Sequence, residues 1–227
     1  MLERCYRTVM EWEVLLERER SRYDDGIARL DPEQLVRIGN AAYGAGLVAL
    51  MLGRQSEATE WLGRAAARWR ESWAHATPTS WGRPIGALKA TVVAGDEGAA
   101  AELARWALSL GTAEAESPIG RYAATLALLV LGRWGDARRL AAGLRGRVDF
   151  PGPVADALES IAAHDPAGVI EAVDAVLSSF ETREHYLEDV PVADTVLVLE
   201  ALAARRGISS ALRDSRLLPA QKPDAAD

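Results

Sequence analysis

The chain has 227 residues, a hydrophobic fraction of 49% and a formal net charge of −7. The acidic balance excludes a general nucleic-acid binder. The single cysteine, Cys5, excludes an intramolecular disulfide and a cysteine metal cluster, and the charged opening MLERCYRTVMEWEVLLERER is not that of a secretory signal peptide.

Alanine dominates the apolar fraction while phenylalanine (2) and tyrosine (5) are scarce, which favours helices packed through small side chains over a sheet. Of the 26 basic residues only Lys89 and Lys222 are lysine, a usage that points to a high-GC, bacterial genome. No apolar run approaches the roughly 18–20 residues of a membrane span, so a cytoplasmic protein is expected.

Taken in chain order, residues 2–23 carry Val9, Trp12, Leu15 and Leu16 at helical spacing, and Asp24-Asp25-Gly26 is expected to break that helix. Asp31-Pro32-Glu33-Gln34 reads as a capped start for a helix reaching Leu52. Within it Gly39, Ala42, Gly46 and Ala49 share a face. Each mid-helix glycine costs about 1 kcal/mol against alanine, so close approach of a neighbouring helix is expected there. Residues 56–74 form a third helix, with Trp61, Ala65, Trp69 and Trp73 four residues apart. Such a stripe is usually core. A loop over 75–83 precedes a helix pair over 84–94 and 96–110. Ser117-Pro118 caps the next helix, to Leu131, and 136–144 returns from it. After a loop over 147–153 come 154–163 and 165–183, the latter opened by Asp165-Pro166. The segment 191–206 is apolar nearly all round, so it should be buried, and Gly207 stops it. The sequence thus predicts an all-α fold of stacked antiparallel helical hairpins, about ten helices in one domain over residues 1–218. A disordered tail is expected over 219–227.

One phrase recurs. Gly53 with Ala58, Gly95 with Ala100, and Gly132 with Ala137 each place an alanine five residues after a glycine that ends an apolar run. The glycine can take the left-handed conformation and reverse the chain. The alanine then lies in the first turn of the returning helix, where a large side chain would wedge the pair apart. Ala65, Ala104, Ala107 and Ala141 continue the seam. A fainter copy surrounds His164-Asp165 without the glycine, and another ends at Gly207. These residues resemble the tetratricopeptide repeat, although the glycine spacings of 42 and 37 depart from its regular 34. The resemblance implies a solenoid or compact bundle with a surface for a peptide or protein, and no catalytic machinery.

Charge is uneven along the chain. Between Asp149 and Glu200 twelve acids face one arginine, Arg183, whereas 133–147 holds five arginines and one acid, Asp136. The acidic last third is therefore the expected contact surface for a basic partner protein, as in an immunity-type inhibitor or an adaptor. Its centre is Glu181, Glu184, His185, Glu188 and Asp189. On a continuing helix Glu181, His185 and Glu188 would share a face, but the spacing matches no metal motif and no metal or cofactor is expected. Trp81 and Arg83 stand in the 75–83 loop as further candidate anchors, being of types that dominate interface hot spots. The alternative is a small-molecule binder or enzyme whose pocket is lined by Trp61, Trp69, Trp73, Trp106 and Trp134. No nucleotide loop or nucleophile elbow is present, so no catalytic residues are assigned. A monomer or a homodimer joined through the first helix is expected.

Overall fold

The computed structural model describes residues 2–29 and 34–220, with side chains from Val9 onward. Among them the fold is all-helical, without a strand. In chain order come α1 (Leu2–Arg29), α2 (Leu35–Met51), α3 (Gln55–Ser72), α4 (Gly82–Ala94) and α5 (Glu97–Ser109), then α6 (Pro118–Val130), α7 (Trp134–Ala142), α8 (Gly152–Ala163), α9 (Pro166–Glu181) and α10 (Asp194–Ala204). Successive helices from α1 to α9 pack pairwise, and α4, α6 and α8 also touch in sequence. The expected cap at Asp31-Pro32, the side chain of Cys5 and most of the tail lie outside the described residues.

The recurring phrase has one geometry. Gly53, Gly95 and Gly132 have φ of 72, 73 and 68°. In each turn the next residue donates its N–H five residues back, Arg54 to Ala49, Asp96 to Thr91 and Arg133 to Leu128, at 2.9–3.2 Å. This is the Schellman closure of a helix C-terminus. His164 takes the same left-handed conformation (φ 60°), and Asp165 donates to Ser160. The residues five positions on, Ala58, Ala100, Ala137 and Val169, are all fully buried. Side-chain caps start the returning or following helix where the sequence offers one. Asp96 accepts from Ala99 N–H, Ser117 from Ile119 and Asp165 from Gly168.

The glycines of α2 mark close approach. A Cβ on Gly39 would stand 2.9 Å from the Trp69 ring, and one on Gly46 2.7 Å from Leu62 Cγ. The same cause corrects the expected end of α1. The helix runs straight through Asp24-Asp25-Gly26 because Trp12, Leu16, Glu19, Tyr23 and Gly26 form one inward stripe at spacings of four and three. Gly26 fits beneath Ile38, where a Cβ would approach to 2.5 Å. Burial of that stripe outweighs the propensity cost of one glycine.

The last helix departs from a simple continuation of hairpins. A strap of irregular chain over 182–193 carries the backbone back across the stack, and α10 lies against α4, α8 and α9. Its apolar residues Val196, Val198, Leu199 and Leu202 are buried. Residues 205–220 close beside it. Ala193 donates to the Leu217 carbonyl at 2.9 Å, and Ile208, Leu217 and Leu218 join the core.

Candidate functional site

The strap gathers most of the charged residues singled out in the sequence. Helix α9 ends at Glu181, two residues before the expected end, because its last turn is closed by side chains. The Tyr186 hydroxyl donates to the Phe180 carbonyl at 2.9 Å, and the Arg183 guanidinium stands 3.6 Å over the Phe180 ring. Glu181, His185 and Glu188 therefore do not share a helical face, and the expected continuous acidic face is replaced by two separate anchors.

The first anchor is Glu181. Arg213 donates to it at 2.8 and 2.9 Å and Ser215 at 2.8 Å. These hydrogen bonds, Arg213 foremost, hold its carboxyl below the usual glutamate range. Arg213 also donates to Asp174 at 2.8 Å, tying the C-terminal segment to α9.

The second anchor is Glu188, with a side chain 15% exposed. Its carboxylate pairs with Arg22 of α1 and accepts from Asn40 Nδ2 of α2 at 2.9 Å, while its carbonyl accepts from Arg18 at 2.5 Å. Asn40 Oδ1 in turn accepts from Trp69 Nε1 at 3.1 Å. Behind the two arginines lies the fully buried Glu19, which accepts from Arg18 Nε at 2.8 Å and Arg22 at 2.9 Å. The network satisfies the groups that the fold removes from water.

Between the two anchors and just beyond the second, the strap turns outward. Glu184, His185 and Asp189 are exposed, and Leu187 is 51% exposed among them. Glu188 and Asp189 both have φ of 55°, a left-handed conformation unusual for two successive non-glycine residues.

The far end of the strap is fixed by Asp194. Lys89 Nζ of α4 lies 2.5 Å from Asp194 Oδ2, and the Tyr43 hydroxyl donates to the same oxygen at 3.1 Å. Burial, followed by the Asp194 charge, raises the Tyr43 and Tyr122 phenols well above their ordinary value. Asp194 and Lys89 escaped the sequence reading. The one available signal was that Lys89 breaks an almost uniform use of arginine.

The other candidates are dispersed. Trp81 is buried and stacks on Trp73 at 5.9 Å, with Trp106 edge-on to Trp73 at 6.2 Å. Arg83 donates to the Ser72 carbonyl at 2.6 Å, and burial lowers its pKa. Trp61 packs edge-on to Tyr23, and Trp134 lies under Arg206. Trp69 packs on Tyr43 and lines a cleft of about 440 Å³ between α2, α4 and the strap. The five tryptophans thus do not surround one pocket. Among the described residues no group of three His, Cys, Asp or Glu side chains is placed to hold a metal, and no helix is long and apolar enough to cross a membrane.

Comparison of the chain with family models, with curated proteins and with solved structures finds no match in any of the three.

Proposed function

We propose that this protein is a non-catalytic helical-hairpin module, related in plan to the tetratricopeptide repeat, that binds a basic partner protein in the cytoplasm through the 182–193 strap. The single observation that carries the reading is the strap itself. It presents an apolar side chain, Leu187, between exposed Glu184, His185 and Asp189, on a backbone anchored from three helices. An apolar anchor within a polar rim is the common anatomy of a protein interface, and a rigid loop loses little entropy on binding. Glu181 and Glu188 are engaged internally, so their part is to shape the strap, while Glu184 and Asp189 supply free negative charge. Helix α10 packs across α4 and α8, which supports a partner site on the strap over one along that covered face.

The test is capture from native lysate at low and high salt, with the triple variant Glu184→Lys, Leu187→Ser and Asp189→Lys beside the wild type. A basic partner held at low salt, released at high salt and lost by the variant supports the reading. A Glu171→Lys control, which reverses an exposed charge elsewhere on α9, should retain it. Equal capture by the triple variant overturns the assignment of the strap.

A further inference from the structure

On the face where α2, α4 and α10 end lies a cavity of about 840 Å³. Its walls are mainly apolar: Leu50 of α2, Val93 of α4, Leu197 and Ala204 of α10, and Ile208 beyond it. Among the described residues one carboxyl group, that of Glu200, reaches this cavity. The Ser210 hydroxyl donates to it at 2.8 Å. Among the described residues it is in no ion pair, and no lysine or arginine lines the cavity. That sets it apart from Glu19, Glu181, Glu188 and Asp194, each of which meets a cation.

The helix ends add to the field. Leu50 and Gly53 stand at the C-terminus of α2, Val93 at that of α4, and Ala201 and Ala204 at that of α10. Each such terminus carries roughly half a negative elementary charge. Three of them and a carboxyl with no ion-pair partner among the described residues line this space, against one helix start of opposite sign, that of α3 at Gln55. Burial pushes the Glu200 carboxyl up, with the Ser210 hydrogen bond opposing, so a bound cation would favour its charged form.

We infer that this cavity is a binding site for a small organic ammonium ion with an apolar body, the ammonium paired with Glu200 and the body against Leu50, Val93 and Leu197. The class follows from the lining. An inorganic cation would want more charged oxygen ligands than the one carboxylate here and would leave the apolar walls unused, and a neutral apolar ligand would cover the carboxyl without supplying a cation to offset its lost hydration. An anion would meet charge of its own sign. The site is separate from the strap and does not rest on the partner reading.

The experiment is isothermal titration of the full chain with n-hexylammonium, 1-hexanol and hexanoate at neutral pH, repeated with Glu200→Gln. The wild type should bind the ammonium at least about tenfold more tightly than the alcohol, as a charge-assisted hydrogen bond supplies, and should reject the carboxylate. Glu200→Gln should lose that preference while binding the alcohol as before. A second variant, Ala201→Phe, fills the cavity and should weaken the ammonium and the alcohol together. Absence of ammonium binding at millimolar concentration, equal binding of ammonium and alcohol by the wild type, or an undiminished preference in Glu200→Gln overturns the inference.

Discussion

The hairpin turns and the strap both use left-handed residues, and they hold them in opposite ways. At Gly53, Gly95 and Gly132 the conformation carries no Cβ penalty, and the closing hydrogen bonds come from within six residues. At Glu188 and Asp189 the residues are ill suited to φ of 55°, and Glu188 is held by Arg22, 166 residues away, and Asn40, 148 residues away. The turns are local devices that the chain can form early. The strap is a tertiary device that exists only once α1, α2 and α9 are in place.

The largest effect that should sharpen this contrast is at the turns. Gly95→Val and Gly132→Val put a β-branched side chain where φ exceeds +65°. Each should cost about 2 kcal/mol, read as a lower denaturation midpoint with an unchanged slope. There is open space around Gly95, so the penalty there is backbone strain and not a clash. A near-neutral result would show that the turn does not require a left-handed residue.

Glu188→Ala comes next, at about 1–2 kcal/mol. It removes a charged pair and the Asn40 hydrogen bond. The loss stays moderate because Arg22 is 41% exposed and keeps its hydration and its bond to Glu19. The diagnostic readout is local. Amide exchange should accelerate over 182–193 and stay unchanged in the Gly53 and Gly95 turns. Uniform acceleration would show that the strap and the hairpins open as one unit.

His164→Gly should act in the opposite direction. The position has the geometry of the glycine turns but carries a Cβ, and its side chain is exposed. Glycine should stabilise the α8–α9 turn by about 0.5–1 kcal/mol, seen as a small rise in Tm. A fall would mean that the imidazole makes a contribution the backbone geometry does not reveal.

The same contrast explains what could be read in advance. Glycine-then-alanine turns, the Ser117 and Asp165 caps and the small-residue face of α2 are written within a few residues of where they act, and each forms as the sequence predicts. The continuation of α1 through Asp24-Asp25-Gly26 was not legible, because it depends on Ile38 lying over Gly26. The acidic run 181–189 was visible as composition. Its division into residues anchored by Arg22 and Arg213 and residues left to solvent was not, since both arginines are remote in sequence. The Glu200 cavity had no local signal either. It arises where three helices end together, and only packing brings those ends to one place.

The smallest effect concerns two carboxyls shifted in opposite senses. Glu181, at the start of the strap, is held low by Arg213 and Ser215, so its contribution to stability is complete above the ordinary glutamate pKa. That contribution disappears as pH falls through the lowered value. Glu200 is pushed up by burial, with the Ser210 hydrogen bond opposing, so the folded state favours its protonated form. Its contribution is complete below the ordinary pKa and is lost as pH rises through the raised value. Melting temperatures measured from acid to neutral pH should therefore separate the two glutamine variants. Glu181→Gln should fall below the wild type at neutral pH and rejoin it in acid. Glu200→Gln should rise relative to the wild type as pH increases, because glutamine keeps the bond to Ser210 without a charge to desolvate. Parallel curves for both variants would place the Glu200 carboxyl in contact with water, and the apolar cavity around it would then lose its basis for selecting a cation.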